Sequence, residues 1–136
     1  MKKIEAIVSR ADDGTYNVYL EKYPVIFGMG DNVISAKENF LETIRLTEEE
    51  IGKDSALSYP EFLDGEYEIQ YKYDVQGFLE YYSGIITPTA LGKLSGINTK
   101  QMWNYMHGVS KPRRIQVEKI ESALHKLGAD LINTSF

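Results

Sequence analysis

Residues 87–114 read TPTALGKLSGINTKQMWNYMHGVSKPRR. Thr87 before Pro88 is a helix start: threonine caps, and proline at the first helical position gives up no hydrogen bond. Leu91 and Leu94 supply a short inward face, Gly96-Ile97 a tight turn, and Asn98 a second cap. In the helix that follows, Met102, Tyr105 and Met106 fall on the buried side, and Gly108 ends it. Lys111, Arg113 and Arg114 come directly after. Two short helices around a glycine turn, then a basic loop, predict a helix-turn-helix, the arrangement that sets one helix into the major groove of DNA.

The residues left outside on the second helix have the chemistry to read bases. Gln101 and Asn104 can pair with adenine through two bonds, Lys100 can reach guanine, and the Thr99 methyl can touch a thymine methyl. Trp103 can stack on a base or sugar, or pack on a neighbouring helix. Lys111, Arg113 and Arg114, with the free N–H groups at the start of a helix over 113–131, suit phosphates. The candidate DNA contacts are therefore Asn98, Thr99, Lys100, Gln101, Trp103, Asn104, Lys111, Arg113 and Arg114.

Working outward, Asp74 can cap a helix over 75–83 that turns Val75, Phe78, Leu79 and Tyr82 inward and stops at Gly84. The helix over 113–131 carries Val117, Ile120, Leu124, Leu127 and Leu131 at steps of three and four. Upstream the period changes. Ile4, Ala6 and Val8 alternate with polar residues, Asp12-Asp13-Gly14 marks a turn, and residues 16–21 alternate again, which predicts a β-hairpin. A third strand is expected over Val25–Phe27, running into a glycine-rich turn. Val33, Ala36, Phe40 and Ile44 predict a helix capped by Asp31 or Asn32, with Glu48-Glu49-Glu50 at its fraying end. Residues 52–65 read as a long loop with a helical turn at Pro60–Leu63. Residues 66–73, EYEIQYKY, alternate strictly and predict a fourth strand with a tyrosine face, suited to a surface that is wet or covered by a second copy.

The fold class is thus α+β: a small β-β-β-α-β domain over 1–73, followed by an all-helical domain over 74–136. Charge divides the same way. Residues 1–74 hold 8 Lys/Arg against 16 Asp/Glu, and residues 75–136 hold 7 against 4. An acidic half joined to a basic half fits a nucleic-acid module with a partner domain of another kind. With 43% hydrophobic and 26% charged residues the chain has the composition of a folded domain. Cysteine is absent, which excludes disulfides, thiolate metal sites and a cysteine nucleophile. No signal-peptide core or membrane-length apolar run is found, so a cytoplasmic protein is expected.

LGKLSGINTKQMWNYMHGVSKP resembles the Cro/repressor (XRE) class of helix-turn-helix, with Leu91, Gly96, Ile97, Met102 and Gly108 at the class positions. Gly92 replaces the usual alanine, and Pro88 stands where the class often has a phosphate-contacting glutamine. YPVIFGMGDNVISAKENFLETI, residues 23–44, resembles the HicB antitoxin pattern through Pro24, Gly30, Asp31, Ala36 and Ile44. It lacks that pattern's Gly-Cys pair. The resemblance implies a partial RNase H-like fold for the first half. It also implies a dimeric or higher repressor of double-stranded operator DNA that can mask a small basic HicA-like ribonuclease toxin. Glu48–Glu50 reads as a solvated helix end or, as a functional alternative, as an acidic patch that meets such a toxin.

Other readings are a solitary protein-interaction module, a toxin-blocking antitoxin with little DNA role, and a metal-dependent nuclease. The nuclease would need carboxylates such as Glu5, Asp12, Asp13, Glu21 and Asp31 to converge on two ions. Asp12 and Asp13 fall in a turn, where aspartate serves the backbone. No catalytic residue, metal ligand or cofactor is assigned.

Overall fold

The computed structural model describes residues 1–51 and 60–136; the part of the expected loop at 52–59 lies outside the described residues. The chain divides into two compact units, Met1–Asp74 and Val75–Phe136. The fold class is α+β.

The first unit has four strands, β1 (Lys2–Arg10), β2 (Tyr16–Tyr19), β3 (Phe27–Gly30) and β4 (Tyr67–Lys72), and the helix α1 (Val33–Ile51). The sheet order is β3-β2-β1-β4. β1 and β2 form the hairpin expected around Asp13-Gly14, with Val8 opposite Val18. Gly14 takes φ +87°, which a side chain would resist. β4 returns parallel to β1, with Ala6 beside Tyr71. The core lies between the sheet and α1: Ala6, Val8, Val18, Leu20 and Ile26 meet Val33, Ala36, Phe40 and Ile44. The helical period of those last four residues predicted this stripe, and each is buried.

Asn32 caps α1, its side chain accepting the Ser35 N–H at 2.8 Å. The helix does not fray at Glu48–Glu50, as the sequence led us to expect, but continues to Ile51. Arg45 supports its second half by bridging Glu42 and Glu49, one turn to either side. The expected turn near Pro60 is a 3-10 turn at Glu61–Asp64, which buries Phe62.

Two expectations are corrected here. The third strand is not Val25–Phe27 but Phe27–Gly30, so the glycine-rich stretch is itself the strand. A Cβ on Gly28 would overlap the backbone N of Phe40 and lie 2.6 Å from the carbonyl O of Ala36; one on Gly30 would lie 2.5 Å from the Ala36 N. These glycines let α1 rest directly on β3. The tyrosine face of β4 also turns toward α1 rather than away. Tyr71 meets Phe40 edge to face at 6.4 Å, and the Lys37 ammonium stands 4.3 Å over the Tyr71 ring. Burial holds the Lys37 pKa below the ordinary lysine value.

The second unit holds α2 (Val75–Tyr82), α3 (Pro88–Ser95), α4 (Thr99–Met106) and α5 (Arg114–Ile132). Leu79, Leu91, Ile97, Met102, Tyr105, Ile120 and Ala123 form its core, with Val75, Phe78, Ile86, Met106 and Leu124 packed around them. Leu94, expected inside, is half-exposed. α3 is only two turns long and buries the side centred on Leu91, so Leu94 sits at the margin. There it lines a shallow groove of about 350 Å³ with Ile115, Ser122 and Ala123. On α5 the expected stripe is buried at Ile120, joined by Ala123, and it ends exposed at Leu131. Among the described residues no helix is long and apolar enough to cross a membrane.

Candidate nucleic-acid interface

Local chemistry fixes the two helices of the site. Thr87 caps α3 by accepting the Ala90 N–H at 3.0 Å, and Pro88 occupies the first turn. Gly96 ends α3 in the left-handed region at φ +77°, its N–H returning to the Gly92 carbonyl at 2.9 Å. Asn98 then caps α4, accepting the Lys100 N–H at 2.8 Å. A Cβ on Gly92 would lie 2.8 Å from the carbonyl O of Ile97. The missing side chain therefore lets the turn close against α3.

Burial sets the direction in which α4 presents its side chains. Met102 is fully buried and Tyr105 nearly so, which turns the opposite side outward. Asn98, Thr99, Lys100 and Trp103 are exposed, and Gln101 and Asn104 are half-buried on the flanks. The nine candidate residues do not have equal freedom. The Asn98 side-chain oxygen is committed to its cap. Gln101 donates through Nε2 to the Ser110 hydroxyl at 3.3 Å, which ties one flank of α4 to the loop after it. Trp103 stacks on His107 with ring centroids 3.9 Å apart, so His107 covers one face of the indole. The Asn104 carbonyl accepts the Val109 N–H at 2.9 Å and helps fold the same loop.

The loop carries Lys111 and Arg113 into solvent at the start of α5. Arg113 is the N-cap residue of α5 and makes no side-chain cap bond. The first N–H groups of that helix thus lack a side-chain acceptor. Arg114 is exposed and makes one long contact, 3.3 Å, with Glu118 one turn on. Thr99, Lys100, Lys111, Arg113 and Arg114 are all exposed, and the sequence has no acidic residue between 98 and 117.

Two positioning residues had no signature in the sequence. Ser110 anchors Gln101, and Gln76 on α2 lies against Gly108, 2.8 Å from where a Cβ would stand. Both relations join positions whose separation follows no helical or strand period. Elsewhere, among the described residues, no three His, Asp or Glu side chains converge in a way that could hold a metal ion. Of the carboxylates considered for a nuclease, Asp13 is bonded to Thr15 within its turn and Glu5 pairs with Lys72 at 3.6 Å.

Comparison of the chain with protein families, with curated proteins and with solved structures gave no match.

Proposed function

We propose that the chain is a sequence-specific DNA-binding transcriptional repressor of the HicB antitoxin type. In this reading α3 and α4 are a Cro/repressor-type helix-turn-helix, and α4 enters the major groove. The first unit is then the partial RNase H-like partner domain of that type. The observation that carries the proposal is the polarity of α4. Met102 and Tyr105 are sealed in the core while Thr99, Lys100 and Trp103 project from the other side, and α4 is followed by a loop with Lys111 and Arg113 and by Arg114 at the start of α5. Base-reading groups beside phosphate-binding groups are what a duplex requires.

An operator read by a symmetric protein has two half-sites about one helical turn apart, so the protein acts as a homodimer or higher assembly in the cytoplasm. It needs no metal or cofactor. Selection of bound sequences from random duplex DNA tests the proposal. Recovery of a palindrome is expected; recovery of no enriched sequence overturns it.

The excess of acidic residues in the first unit favours a second role, the masking of a small basic ribonuclease toxin. Glu48, Glu49 and Glu50 stand exposed on the last turns of α1 and are the natural surface for it. Capture of a small basic protein by the purified first unit, lost when the three glutamates become lysines, is the expected result.

A further inference from the structure

The apolar stripe of α5 runs past the core that uses it. Ile120 and Ala123 are its last buried residues, Leu124 and Leu127 are half-buried, and Leu131 and Ile132 are 63% and 84% exposed. Gly128 sits among them inside the helix, where only proline is a poorer helix former. Its φ is not positive, and a Cβ there would meet nothing within 4 Å, so its own surroundings do not require glycine. Two helical rows cross at this residue. Leu124, Gly128 and Ile132 follow at steps of four, and His125, Gly128 and Leu131 at steps of three. Such rows are the ridges along which helices pack, and a missing side chain where they cross lets two helix axes approach closely.

We propose that α5 crosses α5 of a second copy at Gly128, antiparallel, about a two-fold axis. Leu124 of each copy then meets Leu131 of the other, and His125 meets Ile132, the reciprocal contacts a two-fold interface needs. A crossing one turn earlier sets Leu124 or His125 at the contact point in place of glycine and draws Glu121 into the apolar seam. A crossing one turn later runs past the end of the helix at Ile132. Charge chooses the direction. Arg114 opens α5 about 21 Å before Gly128 along the helix. An antiparallel crossing therefore holds the two cationic starts, each with Lys111 and Arg113, roughly 40 Å apart, of the order of the one DNA turn between half-sites. A parallel crossing draws these like charges together. The pairing rests on the dimer proposed above for its occupant and names that dimer's contact.

The sequence contains no cysteine, so single cysteines report the contact cleanly. At a close crossing the two Cα atoms on the axis are about 5 Å apart, within disulfide range. Oxidised full-length Gly128→Cys is expected to run as a covalent dimer on a denaturing gel, while Lys126→Cys, on the far side of α5, stays a monomer. Sedimentation without DNA supplies a second measurement. Gly128→Leu is expected to weaken association at least about tenfold, although leucine is the better helix former and the Cβ has open space in its own chain. Leu131→Glu is expected to do the same, with circular dichroism unchanged in both variants. A monomeric unmodified chain, cross-linking no stronger at Gly128→Cys than at Lys126→Cys, or association unchanged in Gly128→Leu and Leu131→Glu overturns the pairing. Since no DNA is present, failure here leaves the operator reading standing, and failure to select a palindrome leaves the measured pairing standing.

Discussion

The side-chain oxygen of Asn39 accepts the backbone N–H of Met29 at 2.9 Å. A helix residue thereby occupies a donor that would otherwise lie open at the edge of the sheet. Asn39→Ala combined with Thr43→Val should remove both closures of β3, the second being the bond from the Thr43 hydroxyl to the Phe27 carbonyl at 3.0 Å. We expect a loss of about 1–2 kcal/mol in urea unfolding and the appearance of concentration-dependent association. Unchanged stability with unchanged sedimentation would mean that the closures do not matter.

Gly28 carries a different constraint. The atoms a Cβ would strike there are backbone atoms of α1, which cannot move aside alone. Gly28→Ala should cost about 3 kcal/mol or prevent folding of the first unit. Gly65→Ala, where a Cβ meets nothing within 4 Å, should fold normally. Equal stabilities for the two variants, measured by denaturant titration, would contradict the close approach of α1 to β3.

Asp13 accepts both the N–H and the hydroxyl of Thr15, and the hydroxyl bond chiefly holds its carboxyl below the ordinary aspartate range. A lowered folded pKa means that the unfolded chain binds the proton more readily. The turn's contribution is therefore present above the ordinary aspartate pKa and is lost as pH falls through the folded value. Carbon-detected titration should give an Asp13 midpoint below the ordinary value, returning toward it in Thr15→Val. An ordinary midpoint in the unmodified protein would refute the bond pattern.

For the proposed interface, base and phosphate contacts should separate experimentally. Lys100→Ala with Asn104→Ala is expected to lower affinity for the selected sequence at least about a hundredfold while circular dichroism stays unchanged. Lys111→Ala should weaken binding to all sequences alike and reduce the salt slope by about one. If Lys111→Ala affected one sequence only, Lys111 would be reading bases.

What the residues disclosed depended on whether their partners were local. The stripe Val33, Ala36, Phe40 and Ile44 and the alternation of residues 67–72 are set by the period of one element, and both elements stand where that period puts them. Thr87 and Asn98 cap neighbours within three residues, so their roles were readable too. Gly28 and Gly30 looked like a turn because glycine does mark turns; that they belong to a strand follows from the close approach of α1, whose Ala36 and Phe40 backbone lies against Gly28. The side to which the β4 tyrosines turn depended on pairing with β1, far away in sequence. In the candidate interface, the residue types on the outer side of α4 followed from its spacing. The stacking of Trp103 on His107, four residues on, is also a neighbour relation that helical spacing allows. The tie from Gln101 to Ser110 is not, because it depends on how the chain leaves the helix at Gly108.

The most direct measurement is a titration of the isotope-labelled protein with its selected duplex, followed by amide and side-chain NMR. The largest shifts should fall on Thr99, Lys100, the Trp103 indole N–H and the Asn104 side-chain amide, with smaller ones on residues 111–115. A duplex bound with those signals unmoved, and the changes elsewhere, would contradict the assignment of α4 as the helix that reads DNA.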